Sequence, residues 1–129
     1  MLKPINPPTI AASASRYSHA VEVPQNYRWL YISGQGGVAP DGTVERGFEA
    51  QAERAWSNVI AALKAANMNV ADLVRVNAYL LHAEDLPAYR SLRDRLMGMA
   101  KPASTVIMAA ALVHPEWLVE IEAVAAKEG

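Results

Sequence analysis

The sequence predicts an α/β domain, α+β in detail, in which two helices pack on one face of a mixed β-sheet. Three observations carry that prediction. Short runs of β-branched and aromatic residues recur along the chain. Two longer segments carry apolar residues at helical spacing and interrupt those runs. Helices interleaved with strands build layers, and two helices on one sheet face leave the other face for something else to cover.

With 129 residues the chain can bury one core but is short for two domains of ordinary size. Residues 1–129 are therefore read as a single domain. Residues 1–16 are rich in Pro, Ser and Ala without periodicity and read as a lead-in that is extended or lies along the surface, with regular structure beginning near Tyr17. His19–Val23 and Trp29–Ser33 are β-like runs separated by Pro24, Gln25 and Asn26, which predicts a β-hairpin. Gly34-Gln35-Gly36-Gly37 and Pro40-Asp41-Gly42 are loop chemistry that ends the second strand.

From Gly47 to Asn67, Phe48, Ala52, Ala55, Val59, Leu63 and Ala66 form an apolar stripe while Glu49, Glu53, Arg54 and Lys64 lie largely off it, which predicts a long amphipathic helix. A turn through Asn69, Ala71 and Asp72 leads to a strand over Val74–Leu81. Leu86, Tyr89, Leu92, Arg93 and Leu96 mark one face of a second helix, with Glu84 and Asp85 near its start, where the helix dipole favours acids. After Pro102, two further strands are expected over Ser104–Ala109 and Leu118–Ala126, separated by Val113-His114-Pro115-Glu116. No internal repeat or low-complexity run interrupts this order.

Composition narrows the function classes. A net charge of -1, with 12 basic and 13 acidic residues, gives no electrostatic footprint for nucleic acid or an anionic membrane. The absence of cysteine excludes a disulfide framework, a thiolate metal site and a cysteine nucleophile. His19, His82 and His114 are scattered with no acid at metal-ligand spacing, so neither a metal nor serine-histidine catalysis is expected. Prolines break the N-terminal MLKPINPPTI where a secretory signal needs an apolar run, and the expectation is a soluble cytoplasmic protein. Apolar residues at 52% against 19% charged exceed what so small a surface needs, a surplus that oligomerisation would use.

On a C-terminal strand, Glu120 and Glu122 project to one face while Val119, Ile121, Ala123 and Ala125 project to the other. If the apolar face meets the helices, the two carboxylates point away from them, and one could act as a general base toward water. The alternative is that both are solvated or paired with arginines across an interface. Gly34, Gly36 and Gly37 could offer backbone N–H groups to an oxygen ligand, although such turns are commonly only turns. Trp29, Trp56 and Trp117 read most simply as core or interface anchors.

Three stretches are more distinctive: Ile32-Ser33-Gly34-Gln35, Pro102-Ala103-Ser104, and Val119-Glu120-Ile121-Glu122-Ala123-Val124-Ala125. Together with Asn58, Asp72-Leu73-Val74 and Asp85-Leu86, they resemble the RidA (YjgF) family over nearly the whole chain from Tyr17 onward. The resemblance implies a chorismate-mutase-like fold, a homotrimer and small-molecule pockets at the subunit interfaces. It also implies cofactor-free hydrolysis of imines or enamines to carbonyl compounds and ammonia. By that resemblance Glu120 would position the attacking water, and Tyr17, Ser33, Gly34 and Gln35 would line the pocket.

The sequence departs from the family pattern at one point. The arginine that pairs with a substrate carboxylate is replaced by Ser104, which offers one neutral hydrogen bond in place of a charged bidentate clamp. Arg90 on the second helix, or Arg75 on the strand before it, is the candidate to supply that cation, against the plainer reading of each as a surface residue. Two functions therefore stand side by side. One is a hydrolase or deaminase acting on an imine, enamine or related C–N substrate, and the other is a non-catalytic trimer that binds a small metabolite.

Overall fold

The computed structural model describes residues 1–13 and 15–129; Ala14, within the lead-in, lies outside them. Strands β1 (Lys3–Ile5) and β2 (Ala20–Glu22) form a small antiparallel pair. Strands β3 (Tyr27–Gln35), β4 (Leu73–Leu80), β5 (Ala103–Met108) and β6 (Val119–Glu128) form the main sheet, in the order β3-β6-β4-β5. The sheet is mixed, as expected: β6 runs antiparallel to both β3 and β4, while β4 and β5 are parallel. Helices α1 (Phe48–Ala65) and α2 (Leu86–Met97) supply the second layer.

Each helix begins and ends where local chemistry dictates. Gly47 caps α1 with a φ of 86° that suits glycine, Glu49 lies in the first turn and Lys64 in the last, and Asn67 turns the chain away at a φ of 58°. Pro87 sits in the first turn of α2, and Gly98 ends it at a φ of 58°. The expected α1 stripe is the buried one through Ala52, Ala55, Val59 and Leu63, widened by the fully buried Trp56. These residues meet Val76, Ala78 and Leu80 of β4 and Val119, Ile121, Ala123 and Ala125 of β6, with Tyr89, Leu92 and Met97 of α2 closing the core. Both helices thus cover one sheet face.

The expected hairpin does not form. Its two strands exist, but β2 pairs with β1 and β3 pairs along most of its length with β6. Hairpin reasoning assumes that neighbours in sequence pair, and here a ten-residue strand from the far end of the chain matches β3 in length while β2 has only three residues. The strand β1 also lies within the proline-rich lead-in, where no periodicity announces it. Farther on, Ser18 joins the edge of β5 through a parallel bridge to Ala103, with Ser18 N donating to Pro102 O at 3.2 Å.

The second sheet face carries no helix. Trp29 and Tyr31 stand on it, stacked with ring centres 6.4 Å apart and 51% and 76% exposed, and Ile107 is 47% exposed. Across β4 and β6, Tyr79 lies opposite Glu120, Asn77 opposite Glu122 and Arg75 opposite Val124 on that face.

Candidate functional site

At the end of β3 the register with β6 shifts between Ile32 and Gln35, the signature of a bulge. The extra residue changes which side chains face out. Ser33 is exposed beside the helix-free face, Gly34 turns toward β6, and Gln35 falls in register with the inward-facing Ile121. The carboxylate of Glu120 lies directly on Gly34, so closely that a methyl group there would overlap Glu120 Oε2. Two residues on, a methyl group at Gly36 would stand 2.5 Å from Trp117 Cδ2 and 2.6 Å from Cε2 and Cε3, so the indole lies face-on against that glycine. Gly34 and Gly36 thus each leave room for a side chain from the C-terminal part of the chain, the Glu120 carboxylate at the first and the Trp117 indole at the second.

Helix α1 holds this stretch in place. Asn58 Nδ2 donates to Val38 O at 2.9 Å and to Gly36 O at 3.4 Å. Gln51, only 3% exposed, donates from Nε2 to Glu116 O at 3.0 Å and to Glu45 O at 3.1 Å, and accepts from Leu118 N at 2.8 Å through Oε1. It therefore grips the peptide groups on both sides of Trp117. Gly37 permits the grip, since a side chain there would stand 2.5 Å from Gln51 Cα. On the other side of the indole, His114 stacks at 5.1 Å and 16°, in a turn closed by Trp117 N donating to His114 O at 3.1 Å.

Glu122, on the same face as Glu120, is already engaged: it accepts from Tyr79 Oη at 2.6 Å. That hydrogen bond, with burial and the negative charge of both glutamates, pushes the Tyr79 phenol above its ordinary pKa. Next to it, Asn77 Oδ1 is buried without a partner, and Arg75 Nη2 donates to Thr105 Oγ1 at 2.9 Å. Arg75 thus lies on the helix-free face, beside β5.

The remaining residues of the expected site gather elsewhere. Ser104 is in register with Val76, which places it on the helix side, and its Oγ is buried without a partner. Tyr17 packs edge-on against His19 at 6.0 Å, next to the Ser18 bridge at Ala103. Since β4 separates β5 from β6, this cluster lies about 10 Å across the sheet from the line of Glu120 and on the opposite face. One chain therefore brings Glu120, Gly34 and Ser33 together and Tyr17 near Ser104, but does not unite the two groups. Arg90 is exposed on α2 and makes no hydrogen bond among the described residues. The buried arginine of that helix is Arg93, 3% exposed, which donates to Ser15 Oγ at 2.6 Å and pairs with Asp94 at 3.2 Å. Among the described residues no three His, Cys, Asp or Glu side chains cluster to hold a metal ion, and no helix is long and apolar enough to cross a membrane.

Sequence reasoning took Trp117 only as a core or interface anchor and did not single out Gln51, whose hydrogen bonds to Glu116 and Leu118 hold it against Gly36. The available signal was a buried-type position in α1 occupied by an amide, since a polar side chain on an apolar stripe requires partners.

Comparison with known proteins supports the fold and gives the family. The chain is 30% identical over 128 residues to a RutC family protein of Pyrococcus horikoshii, covering 98% of this chain and 91% of that protein. It is 29% identical over 128 residues to a RutC family protein of Pyrococcus abyssi, with the same coverage of 98% and 91%. Among solved structures, the YyfB protein of the conserved Rid family from Yersinia pestis superposes with a TM-score of 0.88 at 32% identity, covering 98% of both chains. RidA from an Antarctic Psychrobacter superposes with a TM-score of 0.73 at 32% identity, over 90% of this chain and 92% of that one. The family model described as endoribonuclease L-PSP matches residues 8–127, and the chain belongs to that family, the RidA/YjgF family.

Proposed function

We propose that this protein is a cofactor-free hydrolase that deaminates an imine, enamine or related C–N substrate in a pocket between subunits of a cytoplasmic homotrimer, with Glu120 positioning the water. The observation that carries this reading is the Glu120 carboxylate lying on Gly34 at a partly buried sheet end, with no hydrogen bond from any described residue. A carboxylate so placed can accept a proton from water as the water oxygen bonds to the imine carbon and the C=N π pair moves to nitrogen. Nitrogen takes that proton back from Glu120 to give a neutral carbinolamine; as the C–N bond then breaks, the hydroxyl proton passes to the departing nitrogen, so that ammonia leaves and a carbonyl compound remains. Ser33 and Gly34 would border this centre, and Tyr17 would reach it from a neighbouring copy, with the Ser104 hydroxyl, buried in its own subunit, lying behind that side of the pocket. The division of these residues between two places on one chain, and the exposed Trp29 and Tyr31 on the helix-free face, support an assembly that completes the pocket. Net charge of -1 and the glutamates at the site argue against a polyanion such as RNA as the substrate.

The second reading, a trimer that binds a small metabolite without turnover, is favoured by Ser104, whose neutral hydroxyl stands where a carboxylate clamp would be. Ammonia release from freshly generated 2-iminopropionate and from neutral and bulkier enamines separates the two. A hydrolase gives turnover on some member of the panel that is lost in Glu120→Gln with the assembly intact. Silence of the wild type across the panel, with activity appearing only in Ser104→Arg, would favour the binding protein.

A further inference from the structure

The loop before β6 builds more than a connection. Gln51 fixes Glu116 and Leu118, the Trp117 indole lies flat on Gly36, and His114 folds back to cover the indole's other face. A buried glutamine with all three of its contacts directed at loop backbone is an expensive way to fix a loop unless the residue it holds must not move. What it holds is an aromatic stack set on Gly36, two residues along the chain from the Gly34 on which the Glu120 carboxylate lies.

We propose that Trp117, held by Gln51 and backed by His114, is the specificity wall of the Glu120 site, and that the site takes a ligand with a flat, conjugated or aromatic body in preference to a compact aliphatic one. This rests on the reading of Glu120 as the reacting centre. The stack sits on Gly36, two residues from the Gly34 beneath Glu120, so the part of a ligand that extends from Glu120 along this strand end would meet it. Aromatic groups meet favourably edge-to-face, which gives a planar ligand a contact that a methyl group does not make. Ser104 strengthens the argument from the other side: without a guanidinium, affinity has to come from apolar contact rather than from a carboxylate clamp. Gln51 acts through Trp117 and is a positioning residue.

The test compares two imines that differ only in the side chain, those formed from phenylalanine and from alanine by an amino-acid oxidase. Ammonia release is followed for wild type, Trp117→Phe, Trp117→Ala, His114→Ala and Glu120→Gln, each checked for fold by circular dichroism. The wild type is expected to prefer the phenyl substrate in kcat/KM by about tenfold, the size of a desolvated ring contact. That preference is expected to persist in Trp117→Phe, to weaken in His114→Ala and to vanish in Trp117→Ala, mainly through KM, while Glu120→Gln loses turnover of both imines. A preference unchanged in folded Trp117→Ala, or a wild type that prefers the alanine imine, overturns the wall.

Calorimetric binding of phenylpyruvate against pyruvate separates this inference from the hydrolase reading. If no imine is turned over, the hydrolase reading fails alone when phenylpyruvate binds about tenfold tighter and Trp117→Ala removes the difference. Equal binding, or none, overturns the wall as well. Should Trp117→Ala not fold, His114→Ala decides, since it trims the exposed layer of the stack; an undiminished preference there overturns the proposal.

Discussion

Glu120 and Glu122 share a strand, a face and a side-chain chemistry, and their neighbours separate their roles. Glu122 takes a phenolic hydrogen bond of 2.6 Å from Tyr79 and is occupied as an acceptor. Glu120 rests on a residue with no side chain, which leaves its oxygens available to water. The absence of a Cβ at residue 34 is what lets Glu120 lie there, and its φ lies outside the left-handed range, so alanine fits the backbone and its nearest conflict is with the Glu120 side chain. Gly34→Ala is expected to lower turnover at least about tenfold by moving that carboxylate, an effect of roughly 1.4 kcal/mol on the barrier. Thermal melting is expected to shift by no more than a few degrees. An active, folded Gly34→Ala would mean that the carboxylate's present placement is not the reacting one. Glu120 and Gly34 stand in two of the stretches that carry the family resemblance, and the fold brings them into contact. The place of Trp117 against Gly36 was not legible, because its partner Gln51 is 65 to 67 residues from the peptide groups it binds and only the fold brings them together.

The elements themselves were largely legible, because helices and strands announce their periods locally. The α1 stripe lies where the spacing predicts, and the alternation in β6 correctly assigns its apolar side to the helices. Strand pairing was legible only in part, since register is a long-range property: nothing near Asn26 reveals that β3 will choose β6 over β2. The α1–α2 packing also carries a pH dependence. Burial pushes the Tyr89 phenol up to about 12 from 10.0, against smaller opposite pulls from Arg93 and Trp56. Tyr89 Oη and Trp56 Nε1 are both buried without a formed hydrogen bond, so the indole does little to relieve the hydroxyl. Because the folded pKa is the higher one, the unfolded chain releases this proton first as pH rises. The associated stability is complete below pH 10 and is lost as pH rises through about 12, a change of the order of 2–3 kcal/mol. Tyr89→Phe is expected to flatten that alkaline loss and, by removing a partnerless buried hydroxyl, to be neutral or up to about 1 kcal/mol stabilising at pH 7. Thermal melts of both proteins between pH 7 and 11.5 check this, and parallel curves would show that Tyr89 does not govern the alkaline limb.

At the scale of the whole molecule, the proposed assembly would make the helix-free face a link between stability and activity. Trp29, Tyr31 and Ile107 are exposed on it in the single chain, and burying side chains of that size against a neighbour gains roughly 1.5–3 kcal/mol each. The same step would place a neighbour's surface beside Glu120, which is what the separation of Glu120 from Tyr17 and Ser104 within one chain requires. Assembly and pocket completion then become one event, and a change far from the reacting carboxylate should abolish both. Tyr31→Glu is the sharpest such change, because Tyr31 is 76% exposed in the lone chain and a glutamate there costs the folded subunit little. Inside an interface the same carboxylate would be desolvated without a partner, at a cost of several kcal/mol per subunit. For the proposed trimer, light scattering is expected to give three times the chain mass of 14.0 kDa for the wild type and that mass alone for Tyr31→Glu, with an unchanged far-ultraviolet spectrum and with turnover or ligand binding lost. If Tyr31→Glu remains trimeric, the contact between copies lies on another face. If it becomes monomeric and keeps full activity, Glu120 works with groups of its own chain, and the pocket must be sought between Gly34 and the Trp117 loop alone.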